Sequence, residues 1–294
     1  MSDSIPWNSQ PLESWAQRHA PGTFVDLEGL STHYVKMGAG APVIVLHGFF
    51  FDSQMWSKNL DALAQEYTVY ALDLWGFGFS TRKPLDYGYP LYTRQVRAFM
   101  DALQIERAHL IGQSMGGGTI MNFTISDRER VDKIVLVDAA GMPNPLPIMG
   151  RISNLPLLGE MMYSLKGNFM HRFVLGNNFV YNKHLLTDEF FDQLMGFHKI
   201  KGSTEVMLSV TRRMFFDTLS EEIKQLGTLD VPTLIVWGKN ETSIRLSIGQ
   251  ELHARLPGSQ FVALDEAGHC SNIDQAEEFN RLALAFLRDG TVDS

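Results

Sequence analysis

Six short, largely apolar runs, at 43–46, 68–72, 109–111, 133–137, 233–237 and 260–264, recur along this chain at long intervals. A strand with one wet face alternates apolar with polar residues, whereas continuous apolarity implies burial on both faces, the condition of a parallel sheet covered by helices. The segments between the runs carry the matching helical period. Val96, Phe99, Met100 and Leu103 fall at i, i+3, i+4 and i+7, and Phe279, Leu282, Ala283 and Phe286 repeat the pattern. Ile248, Leu252 and Leu256 mark a third helix, closed by Pro257-Gly258. Residues 23–27 and 33–37 flank Glu28-Gly29, which predicts an antiparallel hairpin ahead of the parallel strands.

The alternation of strand and helix stops after Val137 and resumes near Leu229. Residues 140–220 between them are rich in Met, Phe, Leu and Asn, open with Pro143, Pro145 and Pro147, and contain no comparable strand run. They read as a mostly helical insertion over one edge of the sheet. The expected organisation is therefore a leader, 1–22, packed on the body through Trp7 and Trp15, an α/β core at 23–139 and 221–294, and a helical cap at 140–220.

With 45 % apolar and 20 % charged residues the chain can bury a large core, which excludes an unfolded state. A net charge of −8 disfavours nucleic acid, whose partners concentrate Lys and Arg on one face. A single cysteine, Cys270, forms no internal disulfide, and residues 1–10 are polar without the pattern of a secretion signal, so a cytoplasmic location is expected. No run approaches the roughly 18 apolar residues that a spanning helix requires, so stable membrane insertion is not expected.

The strongest chemical signal is Gly112-Gln113-Ser114-Met115-Gly116, between the run at 109–111 and an apolar helix opened by Gly117 and Gly118. A sharp strand-to-helix turn strains its central residue and needs small residues two places to either side so that neighbouring main chain can approach. Such a turn projects the Ser114 hydroxyl above the sheet as a nucleophile. A serine hydroxyl needs a base to take its proton and a carboxylate to orient that base. His269, just past the last strand, is the expected base. The other histidines, His33 among them, sit in leader, strand, insertion or helix and read as structural or solvated. Glu241, after the run at 233–237, is the expected acid, with Asp138 at the end of 133–137 as the alternative. Attack on a carbonyl places charge on its oxygen, for which the amides of Phe49 and Met115 form a candidate oxyanion hole. His47 braces that loop. Phe49-Phe50-Phe51 cannot all face one way, so part of the run should line a pocket.

The motifs HGFF at 47–50, DLWGFGFS at 73–80, GQSMGG at 112–117, WGKNE at 237–241 and AGHC at 267–270 together resemble the α/β-hydrolase fold superfamily over residues 23 to about 289. The resemblance implies a mostly parallel sheet of about eight strands flanked by helices, a Ser114 nucleophile, a His269 base and a cap from 140 to about 220. GQSMGG and the cap placement are most similar to carboxylesterases and to carbon–carbon bond hydrolases that cleave ring-fission products. Glu241 departs from the Asp of most relatives. Members of the superfamily that dehalogenate or open epoxides use Asp at the elbow, so Ser114 implies an acyl-enzyme instead.

No dinucleotide or Walker-type glycine pattern is present and the histidines lack metal-ligand spacing, so no cofactor or metal is expected. The expected reaction is cleavage of small to medium apolar carboxylic esters, a carboxylesterase-like activity. Carbon–carbon hydrolysis of ring-fission products and a slow-turnover ligand receptor are the alternatives. Apolar insertion residues, with Phe50, Met142, Met149 and Met162 as candidate pocket residues, either line a substrate gap or glue the cap to the core, and exposed ones would equally serve a homodimer. Arg212-Arg213 is the one sequence hint toward an anionic substrate.

Overall fold

The computed structural model describes residues 5–144, 152, 154–164 and 167–292, without the side chains of 162–164. Eight strands form one sheet: β1 Thr23–Leu27, β2 Leu30–Met37, β3 Ala41–Leu46, β4 Tyr67–Leu72, β5 Ala108–Gln113, β6 Val131–Val137, β7 Thr233–Gly238 and β8 Gln260–Leu264. Their order is β1-β2-β4-β3-β5-β6-β7-β8. β1 and β2 are antiparallel, β2 runs antiparallel to β4, and every other pairing is parallel. The α/β-hydrolase expectation of a mostly parallel, eight-stranded sheet holds. The hairpin is tighter than the apolar pattern suggested: Leu27 pairs with Leu30 across Glu28-Gly29, both with positive φ (56° and 79°), so β2 starts three residues earlier than expected.

β5 and β7 are buried along their whole length, as central strands covered on both faces must be. Helices α1 (Leu12–His19), α2 (Ser57–Leu63), α3 (Tyr89–Ala102) and α4 (Met115–Ser126) precede the long connection from β6 to β7. That connection contains α5 (Leu158–Ser164), α6 (Asn168–Asn178), α7 (Asp188–Met195), α8 (Ser203–Arg212) and α9 (Ser220–Leu226). After it come α10 (Leu246–Arg255), the short α11 (Ser271–Asp274) and α12 (Ala276–Asp289). The three helices read from periodicity are α3, α10 and α12, with Leu103 and Leu256 at the caps just beyond two of them.

Trp15 is buried, Trp7 stacks on His171 at 3.9 Å, and the amides of Asn8, Ser9 and Gln10 donate to carbonyls of 198–199. No helix among the described residues is long and apolar enough to cross a membrane. The chain leaves β3 toward β4 on one side and later enters β5 on the other. The carboxyl ends of β3 and β5 therefore flank the point where strand order reverses, the usual position of a ligand site in such sheets.

Candidate active site

At the end of β5 the chain turns through Ser114 and enters α4 at Met115. Ser114 holds φ 50° and ψ −115°, a conformation that a residue with a side chain adopts only when its surroundings impose it. The surroundings are close main chain. A Cβ on Gly112 would lie 2.6 Å from the Gly116 carbonyl, and one on Gly116 would lie 2.4 Å from Leu46 O. Both glycines are therefore required by contact. The Ser114 amide donates to Val137 O at 2.9 Å, and its carbonyl accepts from Gly118 at 3.1 Å and Ala140 at 3.0 Å, so both main-chain groups of the strained residue are bonded.

The loop after β3 lies against this turn, since a Cβ on Gly48 would be 3.0 Å from Ser114 Cβ. His47 braces that loop, pairing Nδ1 with Gly48 O at 2.8 Å and accepting the Leu74 amide on Nε2 at 3.0 Å, and burial lowers its pKa. The amides of Phe49 and Met115 have no hydrogen-bond acceptor among the described residues. Two free donors beside the Ser114 hydroxyl can receive a developing oxyanion.

His269 is carried by the loop after β8 and is buried, and its carbonyl accepts the Gln113 side-chain amide at 2.6 Å, which ties that loop to the serine turn. Its Nδ1 is hydrogen-bonded to Glu241 Oε2. The other carboxylate oxygen of Glu241 accepts the amides of Ser243 and Ile244, the latter at 3.0 Å, so the acid is fixed by its own loop and the extra methylene relative to Asp is absorbed there. Burial pulls the His269 pKa down, but the charge and hydrogen bond of Glu241, with Asp138 behind it, outweigh this and leave it raised. Asp138 does not touch the imidazole. Its carboxylate accepts Gly238 N–H at 2.8 Å and the Ser271 hydroxyl at 2.6 Å, bracing both loops. Burial and the charge of Glu241 push its pKa up to about 8. Of the two acids considered from sequence, only Glu241 is at the histidine.

Ser114 and His269 open onto one cavity of about 320 Å³, large enough for a small ligand. Their side chains share no direct hydrogen bond, an arrangement often looser in a free enzyme than in its complexes. The walls are mainly apolar: Phe49, Phe50, Met142, Val174, Phe179, Phe216 and Ile244, with Asn144, Asn178, Asp217, Thr242 and Ser243 as polar members. Two of the four expected pocket residues, Phe50 and Met142, are there. Met149 and the Met162 side chain lie outside the described residues.

Other insertion residues fall elsewhere. Leu155, Leu157, Met161, Phe169 and Phe173 are exposed on the outside. The Arg212-Arg213 pair does not reach the cavity: Arg212 forms a two-pronged pair with Glu160, and Arg213 pairs with Asp86. Sequence reasoning missed Phe179, Phe216, Asp217 and the 242–244 segment. Only the last had a usable signal, its position directly after the acid.

A family model described as alpha/beta hydrolase fold matches residues 41–276. The chain is 31 % identical over 281 residues to a 2-hydroxy-6-oxo-6-phenylhexa-2,4-dienoate hydrolase of Burkholderia cepacia, covering 90 % of this chain and 95 % of that one. It is 28 % identical over 275 residues to a 2-hydroxy-6-oxononadienedioate/2-hydroxy-6-oxononatrienedioate hydrolase of Comamonas testosteroni, again covering 90 % and 95 %. Among solved structures, a meta-cleavage product hydrolase from Pseudomonas fluorescens IP01 superposes with a TM-score of 0.81 at 28 % identity, over 92 % of this chain and 98 % of that one.

Proposed function

The chain belongs to the alpha/beta hydrolase fold family, and from that premise we propose that it is a serine hydrolase cleaving the carbon–carbon bond next to a ketone in a ring-fission product. The observation that carries the hydrolytic reading is His269, held by Glu241, opening with Ser114 onto one apolar cavity beside two free amides. The choice of bond rests on the resemblance to the dienoate and meta-cleavage product hydrolases. It replaces ester cleavage as the leading reading from sequence.

In this reading Ser114 Oγ attacks the ketone carbon while His269 Nε2 takes its proton and Glu241 steadies the resulting imidazolium. The amides of Phe49 and Met115 hold the oxyanion. Collapse breaks the carbon–carbon bond, the electron pair leaves on a carbon conjugated to the second carbonyl, and His269 returns the proton there. Water then hydrolyses the acyl-enzyme through the same base. Residues 140–220 act as a cap: Met142, Val174, Asn178, Phe179 and Phe216 bring its side chains to the cavity wall.

Ester cleavage stays as the second reading on one observation. Apart from His269, the sole ionisable group of the cavity wall among the described residues is Asp217, which disfavours an anionic substrate beside it. Comparing kcat/KM for 2-hydroxy-6-oxo-6-phenylhexa-2,4-dienoate and for p-nitrophenyl butyrate decides between them. At least tenfold preference for the dienoate is expected, and the reverse ranking would select the ester.

A further inference from the structure

We propose that hydrolytic water reaches His269 by its own polar passage, separate from the apolar cavity that receives the acyl group. The inference rests on the acyl-enzyme reading above and adds to it the route of the second substrate.

A second cavity, of about 240 Å³, meets the first along Asn178, Phe179, Thr242 and His269. Its outer wall is polar and exposed, formed by Asn177, Lys183 and Asn240, and its floor is the buried pair Gly268 and His269. Solvent-facing amide side chains thus lead inward to the imidazole on the side away from Phe49, Phe50 and Phe216, which belong to the first cavity alone. Phe179 stands in both walls, its ring 5.6 Å from that of His269 and its carbonyl accepting the Cys270 amide at 2.9 Å. One carboxylate fixes the two walls relative to each other: Asp274 accepts the amides of Tyr181 at 3.0 Å and Asn182 at 2.8 Å from one wall, and of Gly268 at 2.9 Å from the other.

An acyl group that fills the apolar cavity displaces water from it, yet hydrolysis needs a water at His269 Nε2. The local electrostatics suit water better than an anionic part of the substrate. The passage begins at the C-terminal end of α6, where the helix dipole concentrates partial negative charge. The Asn177 side-chain amide donates back to Phe173 O at 2.7 Å, and its oxygen already accepts from Lys183 at 3.2 Å, so the passage's cation is engaged with the wall. In the step itself, the water oxygen attacks the acyl carbonyl as one of its protons passes to His269 Nε2. The tetrahedral intermediate then expels Ser114 Oγ, which recovers that proton, and the carboxylic acid departs.

The test fills the passage without touching the first cavity. Asn177→Phe and, independently, Asn240→Phe are compared with the unaltered protein by stopped-flow release of p-nitrophenol from p-nitrophenyl butyrate, each variant first shown to be folded by near-UV circular dichroism. A blocked water route slows deacylation alone. The expected result is a burst of about one p-nitrophenol per active site at an unchanged rate, a steady-state kcat at least fivefold lower, and kcat/KM within twofold because KM falls with kcat. Unchanged steady-state turnover in both variants would overturn the passage, as would burst and steady state falling together. Failure of the acyl-enzyme reading looks different: the unaltered protein would then release no p-nitrophenol through Ser114, and Ser114→Ala would behave like it.

Discussion

His33 and His269 each place Nδ1 on a buried carboxylate, Asp73 at 2.7 Å in the first case and Glu241 in the second. The surroundings differ at the other nitrogen. His33 Nε2 accepts the Gly22 amide at 3.2 Å, and Asp73 also accepts the amides of Ser53 at 2.8 Å and Phe79 at 2.7 Å. Both partners are saturated and sealed, with the ring of Phe79 5.2 Å from that of His33. Burial pushes the Asp73 pKa up, but His33, its hydrogen bond, His47 and the Phe79 amide outweigh this and hold it at about 2. His269 instead turns its remaining nitrogen to a cavity. The same dyad is structural where both imidazole nitrogens are occupied and available for proton transfer where one is not.

The largest effects should separate the two pairs. His269→Ala is expected to lower kcat/KM by about 10⁵-fold, with a smaller loss of unfolding free energy than at Asp73 because Glu241 keeps the amides of Ser243 and Ile244. Asp73→Ala should do the opposite, costing about 3–5 kcal/mol of stability as buried donors lose their acceptor, while the folded fraction keeps its kcat. Chemical denaturation and steady-state kinetics on both variants check this. The stability that Asp73 contributes is present above the unfolded carboxylate pKa and should be lost as pH falls through about 2.

Within the catalytic pair, Glu241→Gln should lower kcat/KM by about 10³-fold. The base must be neutral to accept a proton, and the His269 pKa is raised, so the rising limb of kcat/KM against pH should inflect above 6.5 and move down in the Gln variant. Asp138→Asn tests the neighbouring acid. Asp138 braces the loops and does not contact the imidazole, so the rate should fall by less than about tenfold. An acid whose pKa rises on folding weakens the fold as pH climbs from its unfolded value to its folded one. The stability of Asp138→Asn relative to the parent should therefore improve between about pH 4 and pH 8. Smallest of all, Arg212→Gln and Arg213→Gln break exposed ion pairs away from the cavity and should each change stability by less than about 1 kcal/mol and kcat/KM by less than about twofold.

What sequence made legible is what local pattern controls. Continuous apolarity at 134–137 and 234–237 marked central strands because burial on both faces leaves no polar position there, and Gly112 and Gly116 marked the serine turn because contact there admits no Cβ. Glu241 was placed by its distance past a strand end. The His33–Asp73 pair was not legible: 40 residues separate the two, and only the antiparallel register of β2 with β4, Tyr34 opposite Leu72, sets them side by side. The cavity wall was only partly legible for a similar reason. Met142 and Met161 carry the same apolar side chain in the same insertion, yet one is buried at the cavity and the other half exposed outside, and composition does not encode which side chains the chain path turns inward.

The central claim is that Ser114 is activated by the imidazole that Glu241 holds. Reaction with a fluorophosphonate, followed by peptide mass spectrometry, reads this directly. A single adduct on Ser114 is expected, forming at least about 10³-fold more slowly in folded His269→Ala protein. A folded, unlabelled Ser114 in the parent chain, or labelling at equal rate in the His269 variant, would contradict it.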